Sequence, residues 1–138
     1  MTVAVAVHRA HWPEIAPLAR VAAKDKVTVS ETSDPTLWFK TLDPRGGITG
    51  FAGIASVGRS KARIRAVWVA PEYREKGLGD ALARACLNYA MAARFATVEV
   101  LTFDPTWPER AGFVVVGRTV HGAARMIYTV IPPPHPGA

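Results

Sequence analysis

The chain holds a single cysteine, Cys86, among its 138 residues, so no internal disulfide can form. The same scarcity excludes a cysteine-rich zinc framework. The four histidines, His8, His11, His121 and His135, are too scattered to make a ligand cluster, and no metal is expected. Apolar runs are short and interrupted, which excludes a membrane-spanning helix. The opening MTVAVAVHRA has no basic residues ahead of its apolar stretch, so a secretory leader does not fit. The expectation is a cytoplasmic protein without a membrane partner. No internal repeat is present, and low complexity is confined to the tail PPPHPGA. Residues 1–131 therefore read as one domain, with 132–138 extended or disordered. A chain of this length with 49% hydrophobic residues can bury about two thirds of its unfolded surface and needs no covalent staple.

What is abundant is positive charge. Seventeen Lys and Arg against eleven Asp and Glu give a net charge of +6, and twelve of the seventeen are arginine. Arginine suits bidentate contact with phosphate or carboxylate, so a nucleotide or nucleic-acid partner stays open beside plain solubility.

Local patterning sets out the elements. The period-two alternation of Thr2–Val7 predicts a strand, and His11-Trp12-Pro13-Glu14 opens a helix that ends near Ala23. Residues 24–35 are polar and mixed, and do not distinguish strand from loop. TLWFKTL (36–42), the turn DPRGG and ITGFAGIAS (48–56) make a hairpin. ARIRAVWV (62–69) is a long strand stopped by Pro71. From Gly77 to Ala93, Leu78, Leu82, Ala85, Cys86, Tyr89 and Ala93 form one helical stripe, with Asp80, Arg84 and Asn88 opposite. TVEVLTF is a further strand. FDPTWPERAGF is a connection with at most one helical turn, and residues 114–131 are a final hairpin turning at His121-Gly122. The strand-helix-strand unit at 62–102 requires a parallel pair, so the fold class is α+β with a mixed, mostly antiparallel sheet flanked by helices.

The informative segment is VWVAPEYREKGLGDALARACL, Val67–Leu87. A strand, a short loop with two glycines and a helix is the arrangement in which main-chain N–H groups converge on an anion. Gly77 and Gly79 let backbone approach a phosphate, and Arg74 and Lys76 add charge. On spacing alone, a loop that needs glycines simply to turn explains the segment equally well.

Pro71-Glu72-Tyr73-Arg74-Glu75-Lys76-Gly77-Leu78-Gly79 closely resembles the acyl-CoA motif R/Q-x-x-G-x-G/A of the GNAT N-acyltransferase superfamily. GGITGFAGI resembles the family's hairpin into its third strand, and ERAGFVVVGR the Gly-Phe segment that begins the sixth. The resemblance implies a GNAT-like sheet with a V-shaped split between strands 4 and 5. It implies acetyl-CoA as co-substrate, with the pyrophosphate on the amides of Arg74, Glu75, Lys76, Gly77, Leu78, Gly79 and Asp80. The pantetheine arm would run beside Val67, Trp68 and Val69, with the thioester near Arg65, Trp68, Leu101 and Phe103. An amine would attack directly, the oxyanion held by an N–H at a bulge in the fourth strand. The acceptor would be a primary amine of a small molecule or polypeptide. Acylation of an amine on a nucleic acid or nucleotide, and a non-catalytic CoA-binding regulatory module, are the alternatives. A homodimer is also compatible with the resemblance.

Two positions depart from the family pattern. Arg63 stands where many members carry a glutamate base, and Pro108, beside Trp107, where many carry a tyrosine acid. Asp104 and Tyr128 are the substitute catalytic candidates, against turn formation for Asp104 and packing for Tyr128. Glu31 and Asp34 lie where the family builds its acceptor pocket. Alternation places Arg59, Lys61, Arg63 and Arg65 on one face of one strand, which points either to an anionic acceptor or to a charge-defended sheet edge.

Overall fold

In a computed structural model of the chain, residues 5–25, 27, 29 and 36–130 are described. Among these residues seven strands form one sheet: β1 (His8–Ala10), β2 (Thr36–Leu42), β3 (Ile48–Gly58), β4 (Lys61–Val69), β5 (Thr97–Thr102), β6 (Val114–Arg118) and β7 (Ala124–Thr129). Their spatial order is β1-β2-β3-β4-β5-β7-β6. Among the described residues only β4 and β5 run parallel, joined by the 15-residue helix α2 (Leu78–Ala92). Helix α1 (Trp12–Lys24) precedes β2, and the six-residue α3 (Thr106–Ala111) follows β5.

The first strand is displaced from its expected place. It is three residues long and pairs His8, Arg9 and Ala10 with Lys40, Phe39 and Trp38. Alternation does not fix register, and the free edge of β2 selects the segment that pairs. Residues 2–4 of the expected strand lie outside the described residues, as do Glu31, Asp34 and the tail 132–138. Helix α1 starts as its sequence dictates: the His11 amide donates to Glu14 Oε2 at 2.8 Å, and Glu14 pairs in turn with Lys40 on β2.

The sheet separates two apolar clusters. On one face α2 buries Leu82, Ala83, Cys86, Leu87 and Ala90 against Ala52, Ile54, Ala62, Ile64, Val98, Val100 and Met126. This stripe is rotated from the expected one. Ala83 and Ala90 let the helix approach closely, and Tyr89 is left exposed. On the other face α1 buries Ile15 and Ala22 with Trp38, Phe51, Ala66 and Trp68. Gly53 is required there, because a Cβ on it would lie 2.5 Å from the Trp38 ring.

One irregularity changes which side chains share a face. Gly53 of β3 pairs with Ala66, but Ile54 pairs with Ile64, so Arg65 is an extra residue that makes a bulge in β4. Ala62 and Ile64 thus face α2, whereas beyond the bulge Val67 and Val69 do. The expected row of four basic residues is broken. Arg59 sits in the β3–β4 turn, Lys61 and Arg63 share a face, and the bulge at Arg65 shifts the alternation.

Candidate active site

The parallel ladder between β4 and β5 is short. It joins Lys61 to Thr97, Ala62 to Val98, Arg63 to Glu99 and Ile64 to Val100, and stops there. Beyond that point β4 continues to Val69 beside β3 alone, while Leu101 and Thr102 of β5 pair with β7. The two central strands part at their C-terminal ends, where ligands of parallel sheets collect.

A cavity of about 610 Å³ opens at this parting. It is lined by Val67 and Val69 of β4, the loop and first turn of α2, Asp104, and Thr106, Trp107 and Arg110 of α3. Glu75 and Gly77 of the loop have left-handed backbone, with φ of 63° and 83°. That conformation suits glycine but costs strain at Glu75, and it turns successive amides toward one side. Among the described residues, the N–H groups of residues 75–80 have no protein acceptor, and the first helical bond of α2 is from Ala81 to the Gly77 carbonyl. A Cβ on Gly77 would meet nothing within 4 Å, so the concavity is open.

The side chains around this cradle contribute little net charge. Asp80 is paired with Arg110 at 3.0 Å. Lys76 Nζ lies 5.7 Å from the centre of the Tyr73 ring. Arg74 donates from Nε to the Val69 carbonyl at 2.9 Å and from Nη2 to Asp25 at 2.7 Å. An anion here is met by main-chain amides and the positive end of α2. Unpaired donors in an open, glycine-formed concavity fit a diphosphate, and the diverging strands fit an extended arm.

Eight of the ten cofactor residues expected from sequence line the cavity: Val67, Val69, Arg74, Glu75, Gly77, Leu78, Gly79 and Asp80. Trp68 and Lys76 are not among the lining residues. The Trp68 side chain belongs to the opposite face, where its Nε1 donates to Asp25 at 3.0 Å. Arg74 is at the cavity, and its Nε and Nη2 tether the loop to Val69 and Asp25. Tyr73, Thr106 and Arg110 were missed; for the last two, the packing of α3 on α2 leaves no pattern in the six-residue segment TWPERA.

Of the two catalytic candidates, Asp104 reaches the cavity. Its Oδ1 accepts the Thr106 amide at 3.0 Å, and hydrogen bonds from Thr106 hold its carboxyl below the usual carboxylate range. Tyr128 is not brought there. Its ring packs against Phe113, 5.5 Å between centres, with Gly112 close beside it. Cys86 is fully buried and its thiol is pushed up to about 12 by burial, which leaves it no nucleophilic role.

A parallel pair that opens beside a cradle of unpaired amides defines a class of proteins that hold an extended, phosphate-bearing ligand within the sheet. The chain belongs to the acetyltransferase (GNAT) family, whose family model matches residues 4–111. Solved structures share the architecture. A Klebsiella pneumoniae protein assigned as an acyl-CoA N-acyltransferase superposes with TM-score 0.81 at 15% identity, covering 92% of this chain and 98% of that one. A Mycobacterium tuberculosis protein solved with CoA gives TM-score 0.76 at 17% identity, covering 91% of this chain and 99% of that one. A Sinorhizobium meliloti phosphinothricin acetyltransferase solved with AcCoA gives 0.73 at 18%, covering 94% and 89%. Among curated proteins none matches significantly.

Proposed function

We propose that this acetyltransferase moves an acetyl group from acetyl-CoA to a primary amine of a small molecule or a polypeptide. The observation that carries the reading is the separation of β4 and β5 after Ile64 and Val100, beside the unpaired amides of residues 75–80. Acetyl-CoA supplies a thioester already activated for attack. The amides of residues 75–80 hold the diphosphate, Val67 to Val69 guide the arm, and Arg74 keeps loop and strand together through the Val69 carbonyl. Positioning of this kind can supply roughly 7–11 kcal/mol of a barrier. The bulge at Arg65 is where the family pattern supports the oxyanion.

Asp104 is the proton-accepting group of this reading, because it lines the cavity and stays ionised at neutral pH. Tyr128 takes no part. Among the described residues no helix is long and apolar enough to cross a membrane. The test is CoA thiol release from acetyl-CoA across a panel of amines, amino acids and peptides, beside acetyl-CoA binding followed by melting temperature. Binding with turnover on at least one amine supports the reading. Binding without turnover on any of them selects a regulatory module.

A further inference from the structure

The sheet face opposite α2 carries a charge group that neither the core nor the cofactor cradle explains. Val98 and Val100 of β5 and Met126 of β7 pack toward α2 with Ala62 and Ile64, so Lys61, Arg63, Glu99 and Arg125 project to the other side. Glu99 is 2% exposed. Its Oε1 accepts from Arg63, at 2.7 Å from Nη2 and 3.1 Å from Nε. Its Oε2 lies 2.7 Å from Lys61 Nζ and 3.2 Å from Arg125 Nε. Among the described residues, no other carboxylate is within ion-pair distance of these three cations. One cation neutralises a buried carboxylate, and here there are three.

The surplus sits at the apex of the split. Arg63 is in register with Glu99, one residue before the last β4–β5 pair. Arg125 is in register with Leu101, one residue past it. The two guanidiniums therefore bracket the place where the strands part, on the face away from the cofactor helix. Their side chains are 38% and 49% exposed, so both heads are in reach of a ligand. Arg125 contacts Glu99 through Nε, which leaves its two Nη groups as a fork for a second oxyanion.

We propose that Arg63 and Arg125, aided by Lys61, form the anion subsite of the acceptor, and that the acceptor is a small amine bearing its own carboxylate or phosphate. The proposal rests on the transferase reading above and names its substrate class. The amine nitrogen bonds to the acyl carbon, the C–S bond breaks with its electron pair passing to sulfur, and the amine proton is released. The products are the N-acyl compound and the CoA thiol. The anionic group does not react; it anchors the amine at the apex. Glu99 keeps both arginines extended toward that point and prevents their mutual repulsion from splaying them.

The experiment compares acetyl transfer to amino acids with transfer to their decarboxylated amines, and to phosphoethanolamine with ethanolamine. The expected result is at least a tenfold higher kcat/KM for the anionic member of one series, which also separates carboxylate from phosphate. Arg125→Gln is expected to erase that preference while the KM for acetyl-CoA stays within twofold. Independently of turnover, the N-acetylated form of the preferred acceptor is expected to raise the melting temperature of the CoA-bound wild type and not of Arg125→Gln. Equal rates for charged and uncharged partners, or a preference that survives Arg125→Gln, overturn the proposal while CoA binding stands. Absence of any CoA-induced shift overturns the transferase reading instead. The subsite then stands only if the anionic compounds alone still stabilise the wild type and not Arg125→Gln.

Discussion

Arg74 donates from Nε to the carbonyl of Val69 at 2.9 Å, and this bond ties the loop before α2 to the end of β4. The second arm of the same guanidinium reaches Asp25 at the end of α1. Asp25 also accepts from Trp68, and hydrogen bonds from Trp68 and Arg74 hold its carboxyl below the usual range. Loop, strand and first helix are thus joined through one side chain. Arg74→Ala is expected to weaken CoA about tenfold by loosening the cradle, the worth of one charge-assisted bond. Arg74→Lys restores little, because a single ammonium does not reproduce the fork. Calorimetric titration with CoA decides this, and unchanged affinity in Arg74→Ala contradicts it.

Gly77 occupies left-handed backbone at φ 83° with open space where a Cβ would point. Gly77→Ala is therefore expected to destabilise by about 1–2 kcal/mol from conformation alone, without a clash. It also places a methyl group in the cradle, so the loss of CoA affinity should exceed the loss of stability. Urea unfolding and CoA titration on the same variant separate the two.

Glu99 gives an acid-sensitive element. Burial would raise its pKa, but hydrogen bonds and charge from Lys61 and Arg63 outweigh that and bring it from 4.5 to about 2. A folded value below the unfolded one contributes stability that is complete above about pH 4.5 and is lost as pH falls toward 2. The contribution is on the order of 3 kcal/mol. Glu99→Gln leaves three cations facing one another and is expected to cost about 3–5 kcal/mol at pH 7 and to flatten the acid limb. Denaturant unfolding between pH 3 and pH 7 measures both.

Asp104→Asn keeps the capping oxygen that accepts the Thr106 amide and removes the charge. If Asp104 takes the proton, turnover falls by about 10²-fold or more at unchanged melting temperature, and the acid limb of the pH–rate profile disappears. Full activity in this variant transfers that role to solvent.

Much of the architecture was legible in the chain because its signals are local. The glycine pair at 77 and 79, the stop at Pro71 and the strand-helix-strand order place the cradle, and the GNAT-like motif adds the split. What escaped depends on pairing between distant strands. The bulge at Arg65 arises from the match of β4 to β3, and it breaks a row of basic residues that strict alternation puts on one face. Glu99 looks in sequence like one polar residue of a β-strand, TVEVLT, and only the registers to Arg63 and Leu101 show what it holds together. Arg74 reads as a phosphate ligand by composition, but its partners, Val69 and Asp25, lie 5 and 49 residues away. Tyr128 reads as either an acid or a packing residue, and its ring lies against Phe113 with Gly112 close beside it.

The most direct measurement is an amide NMR titration of the protein with coenzyme A. The account predicts saturable binding with the largest shifts at the N–H groups of Glu75 to Asp80, followed by Val67 and Val69 on β4. Absence of binding, or shifts concentrated away from that turn, contradicts it.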